Sequence, residues 1–139
     1  MVQITVDEGA DEASVRPFLD AQWLSLDPEP WTGGQCIIRA ERDGDLMGVA
    51  TCHLSAGVAH LSELMVRAGE RHGGLGERLL AAFEEWAAKH DAHKLTLNTR
   101  RDGPAQRFYA RHGWQVAHVL EKHYLRTDYV VMVKCPENA

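Results

Sequence analysis

The stretch from Leu61 to Leu80 constrains the fold more than any other part of the chain. A short apolar strand, Leu61-Ser62-Glu63-Leu64-Met65-Val66, runs into the basic, glycine-rich segment Arg67-Ala68-Gly69-Glu70-Arg71-His72-Gly73-Gly74-Leu75-Gly76. The apolar period there changes from about 2 to about 3.6, and Leu75, Leu79, Leu80, Phe83, Trp86 and Ala87 then mark one face of a helix. The first amides of a helix have no partner within it, and the helix dipole favours negative charge at that end. A strand–glycine turn–helix unit of this kind therefore suits an anion, phosphate above all, at Arg71 to Gly76. Glycines in the same place can also serve only to turn the chain.

At 139 residues with 45% hydrophobic content, the sequence suits a single domain, residues 1–139, with a real core. A formal net charge of -5 argues against a general nucleic-acid binder while leaving room for a locally basic pocket. Cys36, Cys52 and Cys135 form no CxxC pair and leave an odd thiol over, which points to a reducing compartment. No apolar run approaches membrane-spanning length, and the acidic start Asp7-Glu8-Gly9-Ala10-Asp11-Glu12 is unlike a signal peptide. The expectation is a cytoplasmic protein with neither a nucleic-acid nor a membrane partner.

Alternation at Val2, Ile4 and Val6 predicts a first strand. Asp11 is placed to cap a helix carrying Val15, Phe18, Leu19 and Trp23 on one stripe, and Pro28 and Pro30 interrupt regular structure before Trp31. The Trp23 to Trp31 region reads either as the wall of a pocket or as ordinary packing. Three strands follow, Gln35–Ala40, Leu46–Leu54 and Val58–Val66, with Asp43-Gly44 as the first hairpin turn. After the long helix come a strand at Lys94–Asn98, a helix opening at Asp102-Gly103-Pro104, and two strands at Trp114–Leu120 and Tyr129–Val133 joined through Glu121 to Asp128. The order β-α-β-β-β-α-β-α-β-β predicts an α/β fold, a mixed α+β sheet with helices packed on it.

Two familiar phosphate motifs fail on these residues. No lysine follows the glycines, as a P-loop requires, and Gly74-Leu75-Gly76-Glu77-Arg78-Leu79 lacks the last glycine of a dinucleotide fingerprint. The segment instead resembles the acetyl-CoA-binding motif of the GCN5-related N-acetyltransferases, [Arg or Gln]-x-x-Gly-x-[Gly or Ala], met here by Arg71-His72-Gly73-Gly74-Leu75-Gly76 with Val66 ending the strand. A second family motif, alanine, tyrosine four positions later, then glycine and an aromatic residue, is matched by Ala105, Tyr109, Gly113 and Trp114. The resemblance covers Val2 to Lys134. It implies an acyl-CoA N-acyltransferase fold: a central, mostly antiparallel sheet, one parallel strand pair that splays apart, and flanking helices. It also implies acetyl-CoA as cofactor. Leu64, Met65 and Val66 would pair with the pantetheine arm, and the turn Arg71, His72, Gly73, Gly74, Leu75 and Gly76 would hold the diphosphate. The family often has asparagine where this chain has Asp102. Aspartate still suits a helix cap, but its charge disfavours contact with a diphosphate.

Acetyl transfer to an amine needs a neutral amine, a polarised carbonyl and a proton for the leaving sulfur. Glu63, an acidic residue in an apolar strand beside the expected splay, is the candidate base, acting directly or through a water; partial burial would raise its pKa. The competing reading is an ordinary strand glutamate. Tyr109 occupies the position from which the family protonates or hydrogen-bonds the coenzyme sulfur; its alternative is a packed aromatic. The eight histidines show no zinc-like spacing with cysteine, so no metal is assigned. Cys52 and His53 are strand neighbours and point to opposite faces, which excludes them as a nucleophile–base pair. His53 and His60 lie on adjacent predicted strands and are candidates for the acceptor side. The function so implied is transfer of acetyl from acetyl-CoA to a primary amine of a small molecule or peptide in a ternary complex, with room for a homodimer. A noncatalytic acyl-CoA-binding module and a transferase for a longer acyl group are the alternatives.

Overall fold

The computed structural model describes residues 1–26 and 33–136. The chain separates into two compact units, Met1–Trp31 and Thr32–Ala139. In the first, Asp11 accepts a hydrogen bond from the Ala13 amide at 3.0 Å and so caps a short 3-10 turn, Glu12–Ser14. Helix α1 follows at Arg16–Leu26, where Arg16 pairs with Asp20 at 2.9 Å one turn along. The predicted first strand does not form. Val2, Ile4 and Val6 are exposed, and no ladder among the described residues includes them. Alternation specifies which face a strand would bury, but a strand exists only where a second backbone takes up its hydrogen bonds. Pro28, Pro30 and Trp31, and with them the pocket wall read from the sequence, lie outside the described residues.

The second unit is built on six strands: β1 (Gly33–Arg42), β2 (Asp45–Ser55), β3 (Val58–Val66), β4 (Lys94–Arg100), β5 (Gln115–Leu120) and β6 (Tyr129–Lys134). They lie in the order β1-β2-β3-β4-β6-β5, and every neighbouring pair is antiparallel except β3 with β4. The mixed, mostly antiparallel sheet expected from the sequence is therefore present. The β1–β2 turn at Asp43 and Gly44 has positive φ at both residues, the twist that a two-residue hairpin needs.

Helices α2 (Leu75–Lys89) and α3 (Pro104–Arg111) carry the buried faces. Leu80, Phe83 and Ala87 of α2, Tyr109 of α3 and Trp114 join Ala50, Cys52, Leu54, Ala59, Leu61, Leu95, Leu97, Val130 and Met132 of the sheet in one core. Their alternation along each strand shows that one face of the sheet supports the helices. Gly48 lets α2 come close: a Cβ there would stand 3.0 Å from Leu79 Cδ1 and 3.1 Å from the Met65 carbonyl oxygen. The opposite face carries Thr51 and His53 on β2, His60 on β3, and Thr96 and Asn98 on β4.

Two irregularities shape the centre of the sheet. Thr51 lies opposite Glu63 but Cys52 lies opposite Leu61, so Ser62 is an extra residue, a bulge in β3. The parallel ladder between β3 and β4 runs only from Val58–Lys94 to Leu61–Leu97. Beyond it, β3 continues to Val66 and β4 to Arg100 without pairing with each other.

Candidate active site

The wedge between β3 and β4 is the first component of the site. Leu64, Met65 and Val66 pair with Ala50, Val49 and Gly48 on β2, and their other backbone edge faces the wedge without a strand. Such an edge offers hydrogen bonds to any extended, amide-containing chain. Arg71 overhangs its mouth: Nε donates to the Val66 carbonyl oxygen at 3.0 Å, and Nη2 lies 3.7 Å from Met65 Sδ.

The glycine turn is the second component. His72 has φ 66, and Gly74, the residue before α2, has φ 87 with no side-chain cap. Arg78 donates its amide to the Gly74 carbonyl at 3.1 Å, closing the first helical turn. The amides of Gly73 to Glu77 find no acceptor among the described residues. A Cβ on Gly74 would meet nothing within 4 Å, so the turn is uncovered at that residue. Unsatisfied, co-directed amides at the positive end of a helix fit a diphosphate, and the free edge of β3 fits a pantetheine arm.

Tyr109 is the third component. The ring is 8% exposed, packed between Phe108 and Trp114 at ring-centroid distances of 5.2 and 5.9 Å. Burial pushes the phenol up from 10.0 to about 12, which keeps it a proton donor throughout the ordinary pH range. Its hydroxyl makes no hydrogen bond among the described residues.

Glu63 sits on the other face of the sheet, opposite Thr51, and its side chain is exposed. The partial burial expected from the sequence is absent, because the Ser62 bulge turns the carboxylate away from the helices. The Thr51 hydroxyl beside it is buried and has no partner among the described residues. Farther along this face His60 Nδ1 lies 2.7 Å from Thr96 Oγ1, and His53 Nδ1 lies 3.4 Å from Ser62 Oγ. The two imidazoles stand 5.2 Å apart between centroids. Burial, and then the His53 charge, holds His60 below its ordinary 6.5.

Asp102 does not cap α3. Its φ of 59 is left-handed, whereas a capping residue is extended; Gly103 takes the cap position with φ -86 and ψ 171. The Gln106 side-chain oxygen instead accepts the Asp102 amide at 2.6 Å. Among the described residues no group of three or more histidine, cysteine, aspartate or glutamate side chains is placed to hold a metal ion. A cavity of about 430 Å³ opens between β1, β2 and α2, lined by Ile38, Met47, Leu75, Arg78 and Leu79 among others; it shares Leu75 with the glycine turn and includes neither Glu63 nor Tyr109.

Sequence reading missed the direction of Arg71 and the accessibility of Arg100. The latter continues the Thr96, Asn98 alternation and is exposed on the Glu63 face. That period-2 pattern was the available signal, two residues past the predicted end of the strand.

Residues 5–114 match the model of the Acetyltransferase (GNAT) family, and the chain belongs to that family. Among solved structures it is similar to a protein of Agrobacterium tumefaciens assigned as an acetyltransferase, with a TM-score of 0.83 and 22% identity over 97% of this chain and 100% of that one. An acetyltransferase from Bacillus cereus aligns with a TM-score of 0.79 and 19% identity over 96% of this chain and 98% of that one. The PaiA N-acetyltransferase from Thermoplasma acidophilum, solved in complex with coenzyme A, gives 0.66 and 21% over 90% and 73%. A search of curated proteins finds no match.

Proposed function

We propose that this chain is an acetyl-CoA-dependent N-acetyltransferase acting on a primary amine of a small molecule or peptide. The observation that carries the reading is the run of acceptorless amides from Gly73 to Glu77 beside an unpaired strand edge at Leu64 to Val66. Family membership and the coenzyme A complex of the Thermoplasma PaiA protein support the same cofactor.

Bound acetyl-CoA supplies an activated acetyl thioester. In this reading the chain's residues do the rest. Gly73, Gly74, Leu75 and Gly76 present amides to the diphosphate, with His72 completing the turn, and Arg71 swings from the Val66 carbonyl to add a charged contact. Leu64, Met65 and Val66 align the pantetheine arm. Tyr109 would give a proton to the leaving sulfur and regain one from the nitrogen, which sheds its second proton as the amide forms. Glu63, on the opposite face, receives the acceptor's ammonium proton directly or through a water, so that a neutral nitrogen forms the new bond to carbon. The products are an amide, free coenzyme A and one proton.

Free-thiol release from acetyl-CoA across a panel of primary amines tests this, with coenzyme binding measured by calorimetry. The expected result is saturable binding and thiol release with at least one amine class, and an acid limb of the rate profile that moves in Glu63→Gln. Binding without turnover on any amine would make the chain an acyl-CoA-binding module. Absence of binding would remove the cofactor as well.

A further inference from the structure

The two walls of the wedge carry opposite charges on the same face of the sheet, neither paired among the described residues. Glu63 lies opposite Thr51, and Thr51 shares its face with His53; His53 lies opposite His60, which touches Thr96 at 2.7 Å. Thr96, Asn98 and Arg100 then alternate with buried Leu95 and Leu97. Glu63 on β3 and Arg100 on β4 therefore look out on the side away from α2 and its glycine turn. Arg100 stands three residues beyond the last ladder pair, Leu61–Leu97, about 10 Å past the vertex at about 3.3 Å per residue, and Glu63 stands nearer, since the Ser62 bulge takes up one of its two residues.

Most arginines around this mouth are already committed. Arg67 Nε donates to the Leu46 carbonyl at 2.9 Å, Arg71 to Val66, and Arg107 to the Asp102 carbonyl at 3.0 Å. Arg101, next in sequence, pairs with Asp128 at 3.4 Å. Arg100 makes no hydrogen bond or ion pair through its guanidinium among the described residues, and neither does the Glu63 carboxylate. Being on the far face from the diphosphate cradle, Arg100 is not placed to serve it.

We infer that the acceptor carries an anionic group near its amine, as an amino acid does: Glu63 meets the ammonium and Arg100 the carboxylate. This rests on the N-acetyltransferase reading above and names its substrate class. A guanidinium presents a planar fork of donors that matches a carboxylate, and the same charge also suits a phosphonate. An acceptor without the anion leaves Arg100 solvated and gains nothing from it.

The test compares L-amino acids, their carboxamides and the matching aminophosphonates by thiol release, in the wild type, Arg100→Gln and Arg100→Lys. The wild type should favour the carboxylates over their carboxamides by about tenfold or more in kcat/KM, the scale of a charge-assisted contact. Arg100→Gln should abolish that preference through KM, leave the carboxamides and coenzyme A affinity unchanged, and be partly rescued by Arg100→Lys. Turnover of the phosphonates alongside the carboxylates would assign the contact to charge, and their exclusion would assign it to the planar fork; both support the inference. Carboxamides used as well as carboxylates, or equal losses on both in Arg100→Gln, would overturn it while leaving the transferase intact. Thiol release with none of the compounds, together with release by simple alkylamines, would overturn it too. Silence with every amine would fell the transferase reading and this one with it.

Discussion

Gly74 allows the cradle to be tested apart from the stability of the fold. Its φ of 87 and ψ of 1 place it in the left-handed region, where a Cβ costs most residues about 1–2 kcal/mol and asparagine much less. A Cβ there would meet no atom within 4 Å, so packing adds no penalty. Gly74→Asn should therefore fold with a melting temperature within a few degrees of wild type, whereas Gly74→Val should lose about 1–2 kcal/mol, or roughly 3–8 °C for a chain of this size. Both side chains would stand at the helix entrance next to the Gly73 to Glu77 amides, with no atom within 4 Å of the Cβ. Hydrogen bonds to a charged group are worth about 1.5–3 kcal/mol each, so blocking one should weaken coenzyme A by roughly 10- to 100-fold. Calorimetric titration with coenzyme A, paired with thermal melts, reads the two effects independently. A well-folded Gly74→Asn protein that binds coenzyme A as the wild type does would refute the assignment of the diphosphate to these amides.

Tyr109→Phe should melt near the wild-type temperature below pH 10, since the hydroxyl has no partner among the described residues to lose, yet lower kcat by about 10² or more with coenzyme affinity kept. Because the folded phenol titrates near 12 and the unfolded one near 10, its contribution to stability is complete below pH 10 and disappears toward pH 12. The variant's stability should fall less steeply across that window in alkaline melts; an equal slope would mean the phenol is not desolvated. His60 is shifted the other way, below 6.5, first by burial and then by His53. The groups facing it are His53 on β2, Glu63 on its own strand, and Lys94 and Thr96 on β4. The unfolded chain protonates this histidine before the folded one does, so stability should drop as pH falls from 6.5 toward its lower folded value. His60→Gln should flatten that drop in denaturant titrations, and an unchanged acid slope would place the ring in water.

Long, strongly patterned elements were legible because a single physical cause sets them. The α2 stripe and the β1–β2–β3 meander follow from apolar period and turn chemistry alone, and the glycine turn from the need for positive φ at a helix entrance. What stayed hidden depended on partners or on local dihedrals. Val2, Ile4 and Val6 alternate as a strand should, but alternation does not supply a neighbouring backbone. Asp102 has the composition of a cap and the wrong φ for one. Arg71 was read for its charge, and its position against Val66 and Met65 is a rotamer choice that no spacing encodes.

The Ser62 bulge explains why Glu63 and Tyr109 divide between the faces of the sheet. In an unbroken strand Glu63 would follow Leu61 by two residues and share its face, beneath the helices and among apolar side chains. A carboxylate there would be desolvated without a cation to pair with, at a cost of several kcal/mol unless it took up a proton. The extra residue moves Glu63 opposite Thr51 and into water, while Leu64 returns to the buried face opposite Ala50. Tyr109 remains on the helix side. One inserted residue thus leaves the Glu63 carboxylate and the Tyr109 ring on opposite faces of the sheet, the arrangement that the proposed transfer uses. The bulge is invisible to pattern reading: a one-residue slip leaves Leu-Ser-Glu-Leu-Met-Val as plausible a strand in either register.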